Sequence, residues 1–157
     1  MKSKYLKLLF IGITCALVFL VIFINIGKKQ VNAENKIEYN SSVDDITFND
    51  KVNIYFFWGN GCPHCKEESA FFNKIYNDYS QYFNIYSFEV WYNESNASLM
   101  QKFAKELDET PKGVPYLIIG NKSFVGFNSS MEDSIKEEIV NQYNNKTEDI
   151  YQDILSN

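Results

Sequence analysis

Trp58-Gly59-Asn60-Gly61-Cys62-Pro63-His64-Cys65 joins two segments of unlike pattern. Before it, Lys51-Val52-Asn53-Ile54-Tyr55-Phe56-Phe57-Trp58 is β-prone and turns almost continuously apolar, as a strand covered on both faces does. After it, Phe71, Phe72, Ile75, Tyr76 and Tyr79 recur at helical spacing up to about residue 79. Gly59-Asn60-Gly61 breaks the strand, so Cys62 falls at the start of a helix. A cysteine there meets unpaired backbone N–H groups and the positive end of the helix dipole, which favour thiolate over thiol. Pro63 occupies the first turn, where its missing N–H costs nothing. His64 can add positive charge or a hydrogen bond beside the thiolate. Cys65 lies one helical turn on, close enough for the two sulfurs to approach bonding distance, and should be the more buried, resolving thiol. Lowering the thiolate pKa stabilises the reduced pair and makes its disulfide a stronger oxidant.

Other uses of a Cys-x-x-Cys pair fit less well. A zinc site needs a second pair of ligands, yet His64 is the one histidine and the third cysteine, Cys15, lies in a distant apolar run. Haem attachment needs histidine directly after the second cysteine, where Lys66 stands. A purely structural bridge would close too short a loop to restrain much of the unfolded chain. Soft-metal handling, with Cys62, Cys65 and His64 as copper ligands, remains an alternative.

The remaining pattern gives the order of elements. Phe83 to Trp91 reads as a second strand, and Ser95 opens a helix with Leu99, Phe103 and Leu107 on one face. Pro111, Gly113 and Pro115 mark a loop before the strand Tyr116-Leu117-Ile118-Ile119. Gly120-Asn121 and Ser123 to Phe127 read as the turn and second arm of a hairpin. Ser130, with Asp133, opens a last helix reaching about Tyr143. Strand, helix, strand, helix, hairpin, helix predicts an α/β fold, a central mixed sheet of about four strands with helices on both faces.

Charge divides the 157 residues unevenly. Residues 1–33 hold five lysines and no acid; the rest holds ten lysines against 20 acids, a body of about −10 that does not look like a nucleic-acid binder. Leu8 to Ile26 is a 19-residue run without a charged side chain, long enough as a helix to span a bilayer. The length of the run, with Lys28-Lys29 directly after it, reads as a retained signal anchor, N-in on the lysine count; the alternative is a signal peptide cleaved after Val31-Asn32-Ala33. Either outcome puts the catalytic domain outside the cytoplasm, where disulfides persist. Residues 34–50, polar and rich in Asn and Asp, read as a tether, and residues 51–157 as the domain.

The motif Trp58 to Cys65, with Gly113-Val114-Pro115 about fifty residues later, resembles the thioredoxin superfamily over residues from about 50 to 143. The Pro63-His64 pair, and Val114 before the loop proline, are similar to the extracytoplasmic disulfide-forming DsbA type. The resemblance implies a thioredoxin fold and a thiol–disulfide oxidoreductase in which Cys62 is nucleophile and Cys65 resolves. It implies that His64 stabilises the thiolate and that Pro115 is a cis proline beside Cys62. It also implies that Val114 and Trp58 flank the substrate, and that no cofactor is needed beyond the thiols. Partners would be secreted or surface protein thiols and disulfides and a membrane redox partner, with the chain a monomer.

Three departures qualify that likeness. Only about 23 residues separate Trp91 from Pro115, so the large helical insertion of the DsbA type is missing. The buried acid that many members carry six residues before the first cysteine is here Phe56. Glu67, Glu68 and Glu89 are unranked candidates for the proton acceptor of Cys65, surface charge being the ordinary role of such residues. Membrane-tethered reductants of the TlpA and ResA kind share fold and anchor, so the direction of electron flow stays open between oxidant and reductant.

Overall fold

The computed structural model describes residues 41–156. The apolar run Leu8–Ile26, its charge flanks and the candidate cleavage site at Ala33 lie outside them. Among the described residues no helix is long and apolar enough to cross a membrane.

Four strands form one sheet in the order β2-β1-β3-β4. They are β1 (Val52–Trp58), β2 (Phe83–Glu89), β3 (Tyr116–Ile119) and β4 (Lys122–Val125). β2 runs parallel to β1, while β3 runs antiparallel to both β1 and β4. Helix α1 (Pro63–Tyr79) connects β1 to β2, and α2 (Glu94–Glu106) follows β2. Helices α3 (Glu132–Asn145) and α4 (Ile150–Ser156) come after the β3–β4 hairpin. The sheet is thus mixed and of four strands, as predicted.

The apolar run in β1 has no polar face because both sides are covered. Ile54 and Phe56 pack with Phe71, Phe72 and Ile75 of α1 and Ile135 and Ile139 of α3. Tyr55 and Phe57 point the other way, to Leu99, Met100 and Phe103 of α2 and Ile150 and Tyr151 of α4. β3 alternates likewise, Leu117 and Ile119 against Tyr116 and Ile118, all fully buried.

Element ends differ from the sequence pattern where side chains cap the backbone. β2 stops at Glu89, and α2 opens at Glu94 because the Asn93 side chain accepts the Asn96 amide. The last long helix is capped by neither Ser130 nor Asp133. Asn128 caps a turn of 3-10 helix, Ser129–Met131, which runs directly into α3. The second hairpin arm ends at Val125 because Gly126 turns away with φ +75°.

Two segments are integrated through buried polar groups. Ser41 donates its amide to the Ser87 carbonyl (2.9 Å) and accepts the Ser87 amide on Oγ (3.0 Å), covering the free edge of β2. Thr47 donates its amide to the Tyr86 hydroxyl, so residues 41–47 of the tether stretch lie on the sheet. At the other end, Asp149 accepts from the Tyr55 hydroxyl (2.7 Å) and from the Asn53 amide, holding α4 on the core.

Candidate functional site

The topology brings three loops to one end of the sheet. β1 and β2 are parallel, so residues 59–62 and 90–93 emerge side by side, Trp58 being paired with Glu89. β3 enters from the same end, because Phe57 pairs with Tyr116 in antiparallel register. Residues 113–115 therefore arrive beside the start of α1.

Cys62 is the N-cap of α1, with Pro63 in the first turn. The Cys65 amide donates to Cys62 Sγ at 3.1 Å, the bond a capping oxygen would ordinarily accept. The two cysteines form a disulfide, their Cα atoms 5.3 Å apart. Both cysteines are buried, Cys62 at 7% exposure and Cys65 at 3%. The Val114–Pro115 peptide is cis, and the Val114 carbonyl oxygen stands 3.8 Å from Cys62 Sγ. The loop carrying it is held from two sides. Pro115 accepts the Gly126 amide at 2.8 Å, and Glu109 accepts both the Tyr116 hydroxyl and the Ser123 hydroxyl.

A mostly apolar cavity of about 440 Å³ adjoins the disulfide, lined by Phe56, Trp58, Gly59, Gly61, Cys62, Pro63, Cys65 and Lys66. Trp58 and Phe56 are thus beside the sulfurs, and Phe56 is fully buried. Val114 packs against the cores on both sides of the sheet. His64 turns outward: its Nδ1 lies 3.1 Å from the Glu67 carboxylate, both side chains well exposed. The hydrogen bond reaching the Cys62 sulfur comes from the backbone, not from the imidazole. Among the described residues, no group of three or more His, Cys, Asp or Glu side chains is placed to hold a metal ion.

The three unranked carboxylates separate clearly. Glu67 is exposed and pairs with His64. Glu89 is a half-buried clamp, accepting the amides of Asn60 (3.1 Å), Trp91 and Tyr92 (2.9 Å each); desolvation raises its pKa, but these bonds outweigh that and hold it below the usual range. Glu68 is fully buried, contrary to the surface role ordinarily expected, and neither carboxyl oxygen has a hydrogen-bond partner. Burial pushes its pKa well above the usual carboxylate range. The cause is visible in the helix period. Cys65, Glu68, Phe72 and Ile75 share one stripe of α1, and the other three are core residues.

No family model and no curated protein matches the sequence. Among solved structures, an uncharacterised thioredoxin-like protein from Clostridium perfringens is 22% identical. That match covers 71% of this chain and 87% of the other, with a TM-score of 0.48. A glutaredoxin from Archaeoglobus fulgidus is 24% identical, over 57% of this chain and 85% of its own, with a TM-score of 0.36. The fold is the thioredoxin fold. Its strand order, the cysteine pair where α1 leaves β1 and the proline loop ahead of β3 are all present. A disulfide at a helix N-terminus, with both cysteines lining an apolar cavity, is an arrangement suited to thiol–disulfide exchange.

Proposed function

We propose that this domain is a thiol–disulfide oxidoreductase that acts outside the cytoplasm on cysteine-bearing polypeptides, principally as an oxidant. The observation that carries the reading is Cys62 itself: an N-cap sulfur, bonded to Cys65, accepting the Cys65 amide and facing the Val114 carbonyl. A helix N-terminus stabilises the Cys62 thiolate, hence the reduced pair, which makes the disulfide a willing electron acceptor.

In the oxidising direction a client thiolate attacks Cys62 Sγ and the Cys62–Cys65 bond breaks. Cys65 leaves as a thiolate and takes a proton from the neutral carboxyl of Glu68. The client's second thiolate then attacks its own sulfur in the mixed disulfide, releasing oxidised client and the Cys62 thiolate. A membrane-bound electron acceptor restores the pair. Glu68 lies one turn beyond Cys65 on the same buried face, and its raised pKa brings it nearer that of a thiol, about 8.5, than an ordinary carboxylate would be. It supplies the proton function that Phe56 cannot. Val114 and the cis Pro115 form the wall against which client backbone lies, Trp58 closes the apolar side, and His64, when protonated, adds positive charge at the rim.

The extracytoplasmic placement rests on the apolar run Leu8–Ile26 and the lysines flanking it. The working direction is tested by equilibrating the protein with glutathione and titrating thiolate absorbance. A potential well above about −270 mV and a Cys62 pKa well below about 8.5 are expected. A thioredoxin-like potential with an unshifted thiol would overturn the oxidant reading in favour of a tethered reductant.

A further inference from the structure

Tyr92 is 79% exposed and Trp91 53%, and Tyr92 is the most exposed large apolar side chain among the described residues. One exposed ring would need no explanation. Here two consecutive rings project from a backbone that is held at every step. Val90 donates its amide to the Trp58 carbonyl, and Glu89 accepts the amides of Trp91 and Tyr92 together with that of Asn60 from the loop leading into Cys62. Asn96 donates to the Glu89 carbonyl, and Asn93 caps α2. The rings are therefore presented outward by a rigid frame, the arrangement that lets an aromatic side chain contribute contact area with little loss of freedom.

Their position ties them to the reacting sulfurs. The Trp91 indole lies on Gly59, where a Cβ would be driven into the ring. Gly59 also lines the apolar cavity beside Cys62 and Cys65. Aromatic surface thus continues from the rim of the cavity to Trp91 and Tyr92. The domain as a whole is acidic, residues 41–156 holding 9 lysines against 18 acids; Glu94 lies two residues beyond Tyr92, while Lys66 lines the cavity itself. An apolar side chain would cover the rings, while a basic one would be drawn by the charge and could lie over an aromatic face.

We propose that Trp91 and Tyr92 are specificity-determining residues for the exchange reaction, selecting polypeptide segments whose reacting cysteine is flanked by an apolar and a basic side chain. This rests on the thiol–disulfide reading above. Glu89 is a positioning residue within it, joining the aromatic loop to the cysteine loop through one carboxylate.

The test uses the oxidised full chain in detergent and three dithiols. The first is a two-cysteine peptide with Phe and Lys flanks, the second the same peptide with Ser and Glu flanks, and the third dithiothreitol. In each case the dithiol becomes a disulfide as Cys62–Cys65 becomes a dithiol, so no outside oxidant enters. The Phe/Lys peptide is expected to react about tenfold faster than the Ser/Glu peptide, as roughly 1.4 kcal/mol of extra binding would produce. In Tyr92→Ser and Trp91→Ala that ratio should fall to within about twofold of one. A wild-type ratio near one, or a ratio unchanged in both variants, overturns the proposal. So does a loss of rate that is as large for dithiothreitol as for the Phe/Lys peptide, because it marks a purely structural role. If the wild type oxidises none of the three, the thiol–disulfide reading itself falls, and the specificity with it.

Discussion

Glu68→Gln separates the titration of the buried carboxyl from its shape. In the unfolded chain Glu68 titrates near 4.5, while burial holds the folded value well above that. Below about pH 4.5 both states carry the proton and the residue contributes no pH dependence. Above it the unfolded state ionises and the folded state does not, so stability declines as pH rises, until the folded pKa is passed. The limiting slope for one such group is about 1.4 kcal/mol per pH unit. Glutamine has nearly the same shape and stays neutral, so the slope from this residue disappears. Glu89, Asp133 and Glu138 have lowered values, so their stabilisation is lost only as pH falls below the ordinary carboxylate range, away from neutrality. Urea unfolding of the oxidised protein at half-unit steps from about pH 5 to 8 gives the comparison directly. The stability margin of Glu68→Gln over the wild type should grow steadily from about pH 5 toward neutrality. The substitution should also slow the step that forms the mixed disulfide, in which Cys65 leaves and takes its proton, by about 10²-fold, the scale of one acid–base group. Parallel stability curves between about pH 5 and 7 would refute a buried, neutral Glu68.

Other substitutions test the frame around the site. Glu89→Ala removes the acceptor for three amides and should lower stability by about 0.5–2 kcal/mol, the range for a lost helix cap, with faster hydrogen exchange at Asn60, Trp91 and Tyr92. Asp149→Ala strips the Tyr55 hydroxyl and the Asn53 amide of a partner in the core; a loss of about 1–3 kcal/mol for each donor left unpaired is expected in denaturant melts. Gly120→Ala puts a Cβ into the Gln142 side chain at a position with φ +59°, and should cost about 1 kcal/mol or more, read as a lowered Tm. Phe72→Ala, fully buried beneath α1, should cost about 3–5 kcal/mol, measured by urea unfolding.

The neighbourhood of Cys62 was legible along the chain because its information is local. A strand run, two glycines, a helix period and Pro63 place a cysteine at a helix N-terminus without reference to the rest of the molecule. The strands were legible for the same reason: β1 and β3 are buried on both faces, and continuous apolarity records that. Element ends were less so, since Asn93 and Asn128 cap helices through hydrogen bonds that propensity does not encode. α4 was missed because its apolar residues, Ile150, Tyr151 and Ile154, gain their partners from α2 and β1, far away in sequence.

By itself the sequence determined the α/β class, the cysteine pair and the proline loop that faces it, because each is written in a few adjacent residues. Tertiary structure alone decided which acid lies beneath the pair. Glu67 and Glu68 are neighbours of identical chemistry, but a rotation of about 100° around the helix axis sends one to solvent beside His64 and the other into the core beneath Cys65. It also decided that Glu89 is a loop clamp rather than a base, because its partners are amides brought together by the parallel pairing of β1 and β2. The type of a charged residue is a property of the chain; its solvation, and hence its pKa and its work, belongs to the fold.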